Sequence, residues 1–214
     1  MCGRYTLITS AGDVSATFAV ADVPPLVPRY NVAPTQPILI VRQSDGARRA
    51  EQARWGLTPP WATGGRPLIN ARADTVATKP AFRAAFRSRR CLVPADGFYE
   101  WETIGKKKAP NLFATGGLFA VAGLYDHASD PAACLITTEA NPLVAAVHDR
   151  MPVILPPEAW AAWLNPTTDP AALLPLLAPY PADRMSRRNV SDAVNSARVE
   201  GPRCHEPPVA SLFG

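Results

Sequence analysis

The chain has 214 residues, 47% hydrophobic and 19% charged, with a formal net charge of +4 and a pI near 9.0. That length suits one domain or two small ones, and the composition excludes a disordered, fibrous or membrane-spanning chain. Cys2, Cys91, Cys134 and Cys204 form no C-x-x-C pair, and the three histidines lack zinc spacing. Neither a metal nor a disulfide framework is expected, and reduced cytoplasm is the default compartment.

Residues 1–20 lack the apolar run of a signal peptide. SAGDVSATFAV (10–20) predicts a short helix with Val14 and Phe18 four apart, and the proline-rich stretch 24–35 an extended loop. PILIVRQ (37–43) reads as a buried strand, followed by the turn SDGARR and a second strand ending at Arg54-Trp55. A Pro/Gly-rich loop covers 56–67. PAFRAAFRSRR (80–90) predicts a helix with Phe82 and Phe86 on one face and Arg83, Arg87 and Arg90 on another. CLVPADGFYEW (91–101) reads as strand, turn, strand, and GKKK (105–108) as a hairpin tip. Further strands are predicted at 118–125, 134–141 and 148–155. A helix from Pro156 buries Trp160, Trp163 and Leu164 and ends at Asn165-Pro166. With 24 prolines and many short strands, the expected class is α+β, mainly β.

Several residues can carry chemistry. Once Met1 is removed, Cys2 presents an amine and a thiol on adjacent carbons, with reference pKa values of about 7.7–8.0 and 8.5. That pair serves as an acyl-transfer nucleophile, as an aldehyde trap through a Schiff base and thiazolidine, or as neither if the cysteine is incidental. Glu100 sits in the aromatic strand GFYEW, where alternation groups it with Phe98 and sets Tyr99 and Trp101 on the other face. It reads as a salt-bridged edge residue or a desolvated acid. His148, beside Asp149 and Arg150, reads as a proton shuttle or a surface ion-pair member. Asn70 and Arg72 alternate onto one face of LINARADT, suited to an oxyanion or phosphate, or to turn and solvent. Trp61 either plugs the core or offers a stacking face, Trp55 is core, and the arginine stripe on the 80–90 helix is a solvated face. Of the 22 basic residues 18 are arginine, which fits a nucleic-acid partner without requiring one. Cys204-His205 reads as a surface tail pair.

The ordered motifs M-C-G-R-Y (1–5), R-Y-N-V-A-P (29–34), W-G-L-x-P-x-W (55–61), I-N-A-R (69–72), P-A-D-G-F-Y-E-W (94–101) and H-D-R-M-P (148–152) together resemble the SRAP (SOS response-associated peptidase) family. VSDAVNSAR (190–198) is similar to that family's closing segment. The resemblance implies one compact domain over 2–214, built of short strands in a barrel-like sheet with a few peripheral helices. It implies a partner, single-stranded DNA carrying an abasic site, and a thiazolidine crosslink through Cys2 after Met1 is lost, by self-cleavage or to an aminopeptidase. In that resemblance Cys2 is the nucleophile, Asn70 orients the sugar, Glu100 handles protons and His148 assists ring opening. Arg4, Arg72 and Arg150 meet phosphates, while Asn31, Pro34 and Trp61 line the DNA cleft. No cofactor, metal or membrane is implied; a cytoplasmic, nucleoid-associated monomer is expected. The alternative is an N-terminal-nucleophile peptidase or amidase with a separate substrate. Two departures stand out, Ala62 in place of a second aromatic and Asp74 in place of a glutamate.

Overall fold

The structure is a computed structural model that describes residues 2–59, 61, 65–127 and 130–208. In chain order the elements are β1 (Tyr5–Leu7), α1 (Ala11–Phe18), β2 (Arg29–Val32), β3 (Pro37–Ser44), β4 (Ala47–Trp55), β5 (Asn70–Arg72), α2 (Arg83–Ser88), β6 (Arg90–Ala95), β7 (Gly97–Ile104) and β8 (Lys107–Ala114). There follow β9 (Phe119–Asp126), β10 (Ala132–Glu139), α3 (Pro142–Ala145), β11 (Arg150–Pro152), β12 (Ile154–Leu155), α4 (Trp160–Leu164), α5 (Pro170–Leu173) and β13 (Ser186–Asn189). The result is a mostly-sheet α+β domain, as the strand-rich pattern predicts.

The strands form two sheets, ordered β13-β8-β7-β1-β2 and β11-β10-β4-β3-β6-β9-β12, with β5 and β9 also on β10. This corrects the expected barrel-like sheet, since neither sheet is a closed barrel. β10 runs parallel to β4 only at Ala132 and Ala133, then to β5 from Leu135 to Thr137. Between those contacts the chain leaves the sheet at Gly56 (φ +135°), where a Cβ would meet Pro67 Cβ at 2.6 Å. Only glycine fits that conformation and that close approach, so the ladder is broken there. The β3–β4 hairpin forms where expected, its turn set by Asp45 and Gly46 in left-handed conformations.

One core lies between the sheets. Phe98 stacks on Phe113 at 5.2 Å, and Tyr5 meets Trp55 edge-on at 5.4 Å. The opposite face of β7 and β8, with Tyr99 and Leu112, is covered by residues 190–204 through Val190, Val194 and Cys204. Alternation along GFYEW therefore holds. Cys204 is buried, and His205 packs edge-on to Tyr30 at 4.9 Å, so this pair belongs to the second cluster and not to a surface tail.

α1 has Ser10 as its N-cap, accepting from the Asp13 amide, and buries Val14 and Phe18. The helix expected over 80–90 shortens to α2, because Arg90 turns inward as the first residue of β6. Its guanidinium, 2% exposed, donates to the carbonyls of Phe86, Arg87, Trp163 and Asn165. Arg90 thus caps α2 and α4 and leaves the solvated stripe to Arg83 and Arg87. α4 buries Trp160, Trp163 and Leu164 and is capped by Asn165, as predicted. Among the described residues no helix is long and apolar enough to cross a membrane.

Candidate functional site

β1 pairs antiparallel with β7 in the register Tyr5↔Phe98, and the Tyr99 amide donates to the Arg4 carbonyl at 3.0 Å. That register carries the first residues alongside Glu100. Cys2 is 1% exposed, and Glu100 is 3% exposed. From the second sheet, β5 pairs with β10 (Asn70↔Leu135) and brings Asn70 over the same point. Its Nδ2 donates to the Cys2 carbonyl at 2.7 Å, while its Oδ1 is buried and accepts no hydrogen bond. Four strands from two sheets thereby set a chain terminus that would otherwise fray.

Burial dominates the electrostatics. Desolvation pushes the Cys2 thiol well above its ordinary value, and the Glu100 carboxylate adds to it. Burial likewise raises the Glu100 carboxyl; His148 opposes this rise and Asp149 reinforces it. The site therefore favours the neutral thiol and shifts the carboxyl towards its acid form. Glu100 acts on Cys2, His148 acts on Glu100, and Asn70 bonds to Cys2, so the four form a chain of neighbours.

His148 follows α3, whose N-cap Asn141 accepts from the Val144 amide and donates through Nδ2 to the Tyr180 carbonyl. His148 Nδ1 accepts the Arg150 amide at 3.0 Å and lies 2.9 Å from an Asp149 carboxylate oxygen. With Nδ1 accepting that amide, the ring hydrogen of the neutral imidazole is on Nε2.

Arg72 and Arg150 flank this cluster along a groove of about 740 Å³, together with Asp74, Glu139, Asp149 and Leu174. Arg72 forks onto Asp74 through two hydrogen bonds of 3.2 Å, and this holds the Asp74 carboxyl below its usual range. Arg150 donates to the Thr137 carbonyl and, at 3.4 Å, to its hydroxyl, while its buried Nε has no partner. Burial and the neighbouring Arg72 lower the Arg150 pKa. Thr137, which anchors Arg150, carries no signal in the sequence beyond its place in an apolar strand.

Other expected site residues lie elsewhere. Arg4 is not a free phosphate ligand: its Nη1 donates to Asn31 Oδ1 and the Val194 carbonyl, both at 2.6 Å, and its guanidinium sits 5.6 Å over Trp101. Asn31 has no exposed surface to line a cleft. Its Nδ2 holds the carbonyls of Ser196 (2.9 Å) and Val199 (2.7 Å), with Val194 at 3.4 Å. Trp101 Nε1 donates to Asn195 Oδ1 at 2.6 Å. Arg4, Asn31 and Trp101 thus clasp the closing segment VSDAVN, whose asparagine was the only clue to this role. Pro34 is half-buried in the turn after β2. Trp55 is core, donating to the Ile69 carbonyl at 2.9 Å. Trp61 is 62% exposed and shares a groove with α2 instead of standing in the Cys2 cluster. Ala62 lies outside the described residues, as does Met1. Among the described residues no group of three or more His, Cys, Asp or Glu side chains is placed to hold a metal ion.

Comparison with known proteins bears on this arrangement. The family model described as SOS response associated peptidase (SRAP) matches residues 1–197. The chain is 43% identical to abasic site processing protein YoqW of Bacillus subtilis, over 96% of this chain and 99% of that one. It is 30% identical to abasic site processing protein YedK of Escherichia coli, over 97% of this chain and all of the relative. A crystal structure of a protein from Bacteroides thetaiotaomicron superposes with a TM-score of 0.86 at 28% identity, covering 97% of this chain and 100% of that one.

Proposed function

This chain belongs to the SOS response associated peptidase (SRAP) family, which includes abasic site processing proteins, and on that premise we propose that it captures abasic sites in single-stranded DNA through Cys2. The observation that carries this reading is the Asn70–Cys2 hydrogen bond, which fixes the terminal cysteine beside a buried carboxyl. The relatives' names supply the lesion; the site supplies groups suited to it.

The chemistry runs as follows. Removal of Met1 frees the Cys2 amine. His148 moves a proton between ring oxygen and hydroxyl as the deoxyribose hemiacetal opens to its aldehyde. The neutral amine adds to the aldehyde carbon, forming the C–N bond of a carbinolamine. Glu100, held towards its acid form, protonates the departing hydroxyl, and water leaves as the iminium forms. The thiol then gives its proton to the Glu100 carboxylate and its sulfur adds to the iminium carbon, whose nitrogen keeps its hydrogen. The five-membered thiazolidine results, with one water released overall. The high thiol pKa fits this order, since the sulfur needs the base that the preceding step creates. Asn70 Oδ1, buried and unengaged, is positioned to accept from the new amine or from the sugar hydroxyl. Arg72 and Arg150 hold the flanking phosphates, so binding is salt-sensitive and tolerant of sequence. The protein acts as a monomer in the cytoplasm and at the nucleoid when bound.

The peptidase or amidase reading has less support, because the Asn70 N–H that would serve as an oxyanion donor is engaged by the Cys2 carbonyl. The test combines intact mass with denaturing electrophoresis. Processed protein should lack one methionine and form an adduct with an abasic oligonucleotide that survives denaturation. Peptide turnover without any DNA adduct would overturn the proposal.

A further inference from the structure

The groove beside Trp61 does not end at Trp61. It continues over α2, where a second groove of about 510 Å³ is walled by Arg83, Arg87 and Arg89, with Ala84 and Arg89 common to both. Arg83 and Arg87 are exposed, four residues apart on one helix face, and among the described residues no ion pair or hydrogen bond engages either guanidinium. Two guanidinium groups at that spacing repel each other, and an anion lying between them removes the repulsion. Arg89 reaches Asp126 only at 3.7 Å, and its buried Nε has no hydrogen-bond partner. Asp169, next to Pro170 in the groove wall, is engaged by the Ala171 amide as the cap of α5. Ala84, exposed and small, lets a chain approach the helix closely between the arginines. An exposed aromatic face beside a row of basic side chains is a pattern by which a single strand is held through base stacking and backbone charge.

This surface also connects to the Cys2 cluster. After β4 the Leu57–Leu68 bridge brings the chain back to Asn70 at the start of β5, and Trp61, which falls between the bridged residues in sequence, shares its groove with α2.

We propose that Trp61 and the Arg83/Arg87/Arg89 face of α2 form a second contact surface for the phosphodiester backbone of single-stranded DNA, extending the bound strand away from the lesion. The inference rests on the reading of the Cys2 site given above. It assigns strand affinity to a surface separate from the groups that form the covalent bond.

The test compares wild type with an Arg83→Gln/Arg87→Gln double variant, whose changes are at exposed positions, with thermal melting as a check on folding. Two substrates separate the contributions, an abasic trinucleotide and a long lesion-free single strand. Adduct formation with the trinucleotide should match wild type. The slope of log affinity against log salt for the long strand should fall by about 0.7 for each arginine removed. Trp61→Ala should weaken binding to the long strand without changing that slope. An unchanged salt slope in the double variant overturns the proposal, as does an equal loss of adduct with the trinucleotide. If wild type binds the long strand through these arginines yet forms no adduct with any abasic substrate, the covalent reading fails and the contact surface stands.

Discussion

Cys2 and Glu100, on the five-stranded sheet, are 1% and 3% exposed, whereas Asn70 and Arg150 are half-buried and Arg72 is exposed, on strands β5 and β11 of the larger sheet. His148 lies just before β11 and is also half-buried. The first half has no solvent to set its protonation, so burial sets it, raising both thiol and carboxyl. The second half keeps water and carries charge that a polyanion can reach. On the proposed function, the covalent chemistry of Cys2 and Glu100 lies with one sheet, and His148 and the DNA contacts with the other, Asn70 joining them. A site divided in this way should lose different properties when each half is altered.

The sharpest test is Cys2→Ala, which should abolish the denaturation-resistant adduct while non-covalent binding to single-stranded DNA persists. Retained adduct would place the nucleophile elsewhere. Glu100→Gln should slow adduct formation by roughly 10²- to 10⁴-fold, the range for a positioned proton donor, with little change in strand affinity. An equal loss of affinity would erase the distinction between the halves.

Asn31→Ala addresses the clasp behind the buried half. It removes the Asn31 donor from the Ser196 and Val199 carbonyls and one of the two acceptors of Arg4, at about 1–3 kcal/mol for each buried group unpaired. Each kcal/mol should lower Tm by about 2–4 °C in a chain of this size. A melting temperature equal to wild type would mean the clasp contributes nothing.

The pH dependence of stability separates the halves more finely. A carboxyl raised in the folded chain holds its proton more tightly there than when unfolded. Its stabilising contribution is complete below the ordinary carboxylate range and is lost as pH rises through the raised value. Glu100→Gln is neutral throughout, so its melting temperature should gain on wild type as pH rises from acid towards neutral. Parallel curves would show that desolvation of Glu100 is not what shifts it. The smallest effect belongs to the exposed half: Asp74→Asn should free Arg72 from an exposed ion pair worth about 0–1 kcal/mol, tightening DNA binding a fewfold. Weaker binding would mean that Asp74 orients Arg72 and does not restrain it.

Local signals in the sequence were legible where they matched the final environment. Alternation in GFYEW placed Phe98 and Tyr99 on opposite faces, and the 3.6 spacing of Val14 and Phe18 gave α1. Long-range partners were not legible. β2 hid in a proline-rich stretch and β13 in the polar SRRN, because both gain strand geometry from pairing with β1 and β8. Arg90 looked like one more surface arginine, since nothing local shows four carbonyls converging on it. At the site the motif resemblance named Cys2, Asn70, Glu100 and His148, and the fold gathers these. Arg4 and Asn31, expected as DNA contacts, instead brace the closing segment, because their partners Val194, Ser196 and Val199 lie far along the chain.

The separation of 190 residues between Arg4 and the Val194 carbonyl also governs when the site comes into being. A ribosome adding about 5–20 residues per second needs roughly 10–40 s to deliver Val194 after Arg4. Until then the segment that locks the first strand does not exist, and the terminal residues remain open to processing enzymes at the tunnel exit. Burial of the first strand is thus ordered by synthesis itself, complete only once the far end of the chain has arrived.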